Sequence, residues 1–182
     1  MTTEHKILFT GTMGAGKTTA IAAISEVDPM RTEVRNNDKA VAKATTTVGM
    51  DYGEVKLDNG ARLRLYGTPG QKRFDFMWSI LAQGALGLVV LIDNSKPDPL
   101  DDLDTYLTGF SDLIANTACV IGVGRMKTHP HPTLDDHAAR MQRHGVVCPV
   151  IAADAIDPND VMKLLNLLLV QLESRAENEE KT

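Results

Sequence analysis

The sequence predicts an α/β fold built on a mostly parallel sheet, and three observations carry that reading. Short apolar runs bounded by Gly, Asp or Pro alternate with longer stretches of helical period along the 182 residues, the pattern of a parallel sheet wrapped by helices. The first run leads directly into Gly11-Thr12-Met13-Gly14-Ala15-Gly16-Lys17-Thr18, which has the spacing of a phosphate-binding loop set between a strand and a helix. Farther on, Asp58-Asn59-Gly60 offers the positive backbone angles of a tight hairpin, so one strand runs antiparallel to its neighbour.

In order, six strands are expected near His5–Thr10, Val48–Leu57, Arg62–Tyr66, Leu86–Asp93, Ala118–Val123 and Val146–Ala152. The Asn-Gly hairpin joins the second to the third. About five helices fall near Lys17–Glu26, Arg73–Gln83, Pro99–Ala115, Thr133–His144 and Asn159–Ala176. The third opens on Asp98, Asp101, Asp102 and Asp104, negative charge that answers the helix dipole. In the last, Val161, Leu164, Leu165, Leu168 and Leu172 recur at spacings of three and four, so one face packs on the sheet while Lys163 and Gln171 face water. Residues 1–176 form a single domain, and residues 177–182 a charged tail. Asp28 to Thr46 shows no clear period and carries Arg31, Arg35, Lys39 and Lys43; a loop this long is commonly functional or disordered.

Composition narrows the class. Nineteen Lys and Arg against 24 Asp and Glu give a net charge of −5, which argues against general affinity for nucleic acid or anionic lipid. Two cysteines, Cys119 and Cys148, lie within apolar runs and read as core packing in a reducing, cytoplasmic setting. MTTEHKILFT enters a strand without a basic leader or a Gly at position 2, and no apolar run approaches the ~20 residues of a bilayer span. No intrinsic membrane anchor is expected.

The chemistry concentrates at one end of the sheet. In the loop Gly11–Thr18, glycines let backbone N–H groups converge on phosphate oxygens, and the following helix adds the positive end of its dipole. Gly11, Met13, Gly14, Ala15, Gly16, Lys17, Thr18 and Thr19 are therefore candidate nucleotide contacts. Lys17 would bridge β- and γ-phosphates, and Thr18 would ligate magnesium. Thr45-Thr46-Thr47 precedes the second strand, where the Thr47 hydroxyl can complete a magnesium shell while a γ-phosphate is present. At the end of the third strand, Gly67-Thr68-Pro69-Gly70-Gln71 offers the Gly70 N–H to the γ-phosphate and the Gln71 amide to an attacking water. Both segments also have plain readings, a β-branched strand start and a Pro-Gly turn.

Taken together, GTMGAGKT, TTTVGMDYG and LYGTPGQKRFDFMW resemble the first three motifs of Ras-superfamily small GTPases. Thr47-Val48-Gly49, and Gln71 followed by Trp78, are similar to the Arf branch. Ile24-Ser25-Glu26, Pro29, Arg31-Thr32-Glu33, Ala44–Val48 and Gly67–Gln71 resemble prokaryotic small GTPases of the gliding-protein (Mgl) and Streptomyces conservon types. The resemblance implies a P-loop NTPase fold, Ras-like and six-stranded, with Mg2+ as cofactor and GTP as substrate. It implies catalytic roles for Gln71, Lys17 and Thr47, and a switch read by an effector and paired with a roadblock/LC7-type regulator.

The sequence departs from that pattern in four places. Gly67 stands where an Asp usually holds a magnesium-bound water; Asp93 either substitutes or caps its own loop. Gly124-Arg125-Met126-Lys127 replaces the Asn-Lys-x-Asp that reads guanine, and Lys127 accepts no hydrogen bond. Arg125 can stack on a purine, while Ala153 offers backbone and Asp154 either a carboxylate or a helix cap. Met13 crowds the γ-phosphate side, so Arg31 or Arg35 is a candidate source of transition-state charge against the commoner reading of a solvated loop cation. His129-Pro130-His131 is half a metal motif at most and reads as an exposed loop.

Overall fold

The chain runs β1 (Glu4–Gly11), α1 (Lys17–Ile24), β2 (Met30–Arg35), β3 (Thr47–Lys56), β4 (Arg62–Gly67), a 3₁₀ turn (Lys72–Met77), α2 (Trp78–Ala82), β5 (Ala85–Asp93), α3 (Pro99–Gly109), α4 (Ser111–Asn116), β6 (Ala118–Gly124), α5 (Leu134–Arg143), β7 (Val150–Ala152) and α6 (Pro158–Glu179). This is a computed structural model that describes residues 3–35 and 47–179, with side chains placed for 3–30 and 50–178. One sheet of seven strands has the order β2-β3-β4-β1-β5-β6-β7. β1 pairs parallel with β4 and β5, β5 with β6, and β6 with β7, whereas β3 is antiparallel to both β2 and β4. The fold is the α/β, P-loop class.

Both faces of the sheet are covered, which is why its central strands are apolar without a break. Along β1 successive side chains point to opposite faces. Leu8 joins Trp78, Tyr106, Phe110 and Ile121 on one side, whereas Ile7 and Phe9 join Ile21, Val161 and Leu164 on the other. The Trp78 ring stacks on Phe110 at 5.1 Å between centroids, fixing the segment after β4 against α3. On the opposite face α6 lies close to the sheet because β5 carries no side chain at Gly87. A Cβ there would stand 2.7 Å from Leu168.

All six expected strands are present, and β2 adds a seventh at the edge. It lies in the stretch that shows no clear period, yet Met30, Thr32 and Val34 do alternate with Arg31, Glu33 and Arg35, a period-2 signal that β3 fixes through backbone pairing. The hairpin turn is as expected, with Gly60 at φ 83° and the Leu57 N–H donating to the Ala61 carbonyl at 2.8 Å. Three elements differ from expectation. β7 begins at Val150 because Pro149 has no N–H for the ladder. The long third helix divides at Gly109, against which the Trp78 ring packs so closely that a Cβ would lie 2.5 Å from it. The helix after Gln71 is a 3₁₀ turn followed by α2. α6 continues to Glu179. Lys39, Lys43, Thr45 and Thr46 lie outside the described residues. Among those described, no helix is long and apolar enough to cross a membrane.

Leu168 is fully buried and fills the space above Gly87, where neighbours cannot collapse into a void. Leu168→Ala is expected to cost about 2–5 kcal/mol, read as a lower urea midpoint with an unchanged m-value.

Candidate functional site

The site forms where β1 ends and α1 begins. Gly14 and Gly16 take φ of 82° and 102°, left-handed values that β-carbons disfavour. Gly16 also lies so close to Ala155 that a Cβ would stand 2.6 Å away. Gly16 caps α1 without a side chain, so the first-turn N–H groups stay available to an anion. The Lys17 ammonium folds back under this loop and donates to the carbonyls of Gly11 at 2.5 Å and Thr12 at 2.8 Å. It is only 7% exposed. Burial pulls its pKa down to about 8, against the Asp51 carboxylate, which favours the charge.

Next to Lys17, the Thr18 hydroxyl donates to Asp51 Oδ2 at 2.6 Å. Asp51 lies on β3 directly opposite Gly67 of β4, and a Cβ on residue 67 would meet its carboxylate at 3.1 Å. The Asp51 carboxylate thus lies in space that the glycine at position 67 leaves open. A hydroxyl and a carboxylate converging beside a phosphate-binding loop form a hard-oxygen donor set suited to Mg2+, which takes one or two protein ligands and keeps waters. The backbone of Thr47 opens β3; its side chain, like those of Arg31 and Arg35, lies outside the described residues.

The segment after β4 lies against the loop. Thr68 is buried, its hydroxyl 2.7 Å from that of Thr10, and its N–H donates to the Phe9 carbonyl. A Cβ on Gly70 would stand 2.7 Å from the Met13 nitrogen and 2.8 Å from Lys17 Nζ, so only glycine fits this approach. The Gln71 amide reaches the Met13 sulfur at 3.8 Å.

One cleft of about 580 Å³ collects Met13–Thr19, Asp51, Thr68–Gln71, Asp93, Gly124, Arg125 and Asp154–Ile156. Gly11 contributes its carbonyl to Lys17 from behind the loop. Ala153 is buried and its N–H donates to the Val123 carbonyl; Asp154, Ala155 and Ile156 form the lining instead. The carboxylates at the base end have local partners. Asp93 accepts from the Ser95 N–H and hydroxyl at 2.9 and 2.6 Å. Burial opposes its charge, but those bonds, with Arg125 and Lys96, hold its carboxyl below the usual range. It is a loop cap. Asp154 accepts from the Ile156 N–H at 3.1 Å and does not cap α6, which begins at Pro158 behind Asp157, whose carboxylate accepts from the Asn159 N–H. Arg125 has a φ of 65° and turns the chain with its carbonyl accepting from the Thr128 and His129 N–H groups. Asn94, absent from the sequence reading, is buried and donates to the His129 and Pro132 carbonyls, tying the exposed His129–His131 loop to β5. Among the described residues no group of three or more His, Cys, Asp or Glu could hold a metal ion.

Comparison with known proteins gives a consistent class. A family described as "conserved hypothetical ATP binding protein" matches residues 28–122, just over half of the chain. Among curated relatives, the ADP-ribosylation factor-like protein 3 of Saccharomyces cerevisiae is 28% identical over 57% of this chain and 50% of its own. The GTP-binding protein ypt2 of Schizosaccharomyces pombe is 25% identical over 65% and 56%, and the Ras-related protein Rab-18-B of Danio rerio 28% over 62% and 54%. The chain spans about half the length of the curated relatives it matches. These findings support nucleotide binding.

The depressed pKa of Lys17 gives the ligand-free protein a definite pH signature. Below about 8 the amine is charged in both folded and unfolded chains, and its burial penalty is fully present. From about 8 towards the ordinary 10.5 the unfolded chain holds more protons, so Lys17 makes stability rise with pH. Lys17→Met removes this rise, and its stability relative to the parent is expected to be greatest near pH 7 and to decline by pH 10 in parallel urea titrations.

Proposed function

Because the chain belongs to the family described as conserved hypothetical ATP binding protein, and its relatives include Ras-, Arf- and Rab-type proteins, we propose that it is a small GTP-hydrolysing switch with Mg2+ as cofactor. The observation that carries this reading is the convergence of Lys17, the Thr18–Asp51 pair and the Gly70–Gln71 segment on one edge of the phosphate-binding loop.

Each group has a distinct task. Lys17 and the first-turn N–H groups hold the phosphates. Thr18 and Asp51 would hold magnesium, with Thr47 joining them; the ion supplies positive charge against the phosphate oxygens. Gln71 orients the attacking water, and Gly70 senses the terminal phosphate through its backbone. On this reading the chain is of the gliding-protein and conservon type. Hydrolysis is slow without help, because the described residues place no arginine beside the Met13 side of the loop, and a roadblock/LC7-type regulator is the proposed partner. Arg125 stacks on the base without identifying it.

A second reading is favoured by a specific observation. Lys127 accepts no hydrogen bond, and Asp93 and Asp154 each give one carboxylate oxygen to their own loops, so the base end lacks the carboxylate that the Asn-Lys-x-Asp motif dedicates to guanine. The alternative is a nucleotide-binding interaction protein with little selectivity or turnover.

Binding and phosphate release from GTP and ATP separate these readings. Lys17→Ala is expected to lose nucleotide affinity. Gln71→Leu is expected to keep affinity and slow cleavage by about 10²–10⁴-fold, the range of general acid–base contributions. Asp51→Asn is expected to raise the magnesium needed for tight binding by about 10–100-fold. Equal affinity for ATP and GTP removes the guanine assignment, and a Gln71→Leu variant that cleaves at the parent rate removes the water-orienting role.

A further inference from the structure

A second cavity, of about 720 Å³, opens at the end of the sheet away from the phosphate-binding loop, with Ile114, Cys119, His144, Val146, Cys148 and Gln171 among its walls. Cys119 stands at the start of β6, whereas Gly124 at the end of the same strand lines the nucleotide cleft. β6 and β7 run parallel with Ile121 beside Val150, and the Ile121 N–H donates to the Pro149 carbonyl at 2.9 Å. Two residues earlier on each chain are Cys119 and Cys148. Cys148 lies just before β7, one residue ahead of the Pro149 whose carbonyl pairs with β6, and it packs against the cluster that contains Cys119, Trp78 and Phe110. Both residues line the second cavity. Neighbouring strands lie about 4.8 Å apart, inside the roughly 4.4–6.8 Å that Cα atoms of a disulfide span.

We propose that Cys119 and Cys148 form a reversible intramolecular disulfide when the protein meets hydrogen peroxide, with Cys148 as the attacking thiol and Cys119 as the resolving one. The order follows from access. Cys148 is half-buried at the cavity wall, and Cys119 lies beneath it, fully buried. The neighbouring Cys119 thiol holds the Cys148 thiol below its ordinary range, against burial, while the Cys148 thiol together with burial pushes Cys119 up. In the first step the Cys148 thiolate attacks one peroxide oxygen, the O–O bond breaks, hydroxide leaves and Cys148 becomes a sulfenic acid. In the second, the Cys119 sulfur attacks that of Cys148, the S–O bond breaks, and the departing hydroxide takes the Cys119 proton away as water. Two thiols lose two electrons, and one peroxide becomes two waters.

The bond closes the chain from 119 to 148 around α5 and ties the start of β6 to the strand that feeds Asp154–Ile156 into the cleft. Restricting the unfolded chain in this way is expected to raise Tm by roughly 5–10 °C.

The test uses the full chain, reduced, freed of reductant and treated with a small excess of hydrogen peroxide, then denatured and alkylated with iodoacetamide. Expected are an intact mass lower by two hydrogens, no alkylation of either cysteine, a cross-linked peptide pair containing Cys119 and Cys148, the rise in Tm, and full reversal by dithiothreitol. Cys148→Ser is expected to show neither the cross-link nor the rise. Alkylation of both cysteines after peroxide would overturn the proposal. So would conversion of Cys148 to a sulfinic acid with Cys119 still free, or bridges formed only between two copies of the chain. The wild-type mass decides the matter whether or not the variant folds, and it is independent of nucleotide binding.

Discussion

The ammonium of Lys17 lies where water reaches it poorly, and the carbonyls of Gly11 and Thr12 hold it there. A charge in such a place is costly unless hydrogen bonds and an opposite charge answer it. Both answers shape the site. The carbonyls of Gly11 and Thr12 are turned inward to Lys17, and the first turn of α1, whose N–H groups lack partners within the helix, lies at the cleft. Asp51, from a strand that is distant in sequence, supplies the nearby negative charge. The close approach of Gly70 to Lys17 completes the arrangement, because any larger residue there would collide with the ammonium. On the proposed function, phosphate affinity, metal affinity and the sensing of a terminal phosphate would all depend on this one buried group.

Much of the framework is legible from residues alone. The loop from Gly11 to Thr18 announces itself by spacing, and the apolar runs of β1, β5 and β6 by the lack of any polar interruption. Asp51 is harder to find because its role is a matter of register between two strands. The signal was nevertheless present. The turn at Asp58–Gly60 pairs Lys56 with Arg62, and counting back residue by residue sets Asp51 opposite Gly67. A slip of one residue would have turned the carboxylate to the other face, which is why a turn sequence alone does not force the answer. β2 escaped for another reason: its alternation is short and charged, and only pairing with β3 makes it a strand.

The two ends of the cleft are built on different principles. On the proposed reading, phosphates are held by backbone N–H groups and a buried lysine, chemistry common to every nucleoside triphosphate. Base selectivity needs a side-chain acceptor, and Asp93 and Asp154 each give one carboxylate oxygen to Ser95 and Ile156. The comparisons divide along the same line. The matching family is described by ATP, while one of the relatives is named for GTP. The family match, residues 28–122, includes neither the phosphate-binding loop nor Gly124–Lys127.

The central claim is that the loop around Lys17 grips the phosphate tail of a nucleotide, and equilibrium titration of the purified chain with magnesium and GTP, GDP and GMP tests it most directly. The account predicts binding of the tri- and diphosphate, a large loss of affinity for the monophosphate, and loss of all three interactions on removal of the Lys17 amine. Failure to bind any of these nucleotides or ATP, or equal binding of GMP and GTP, would contradict it.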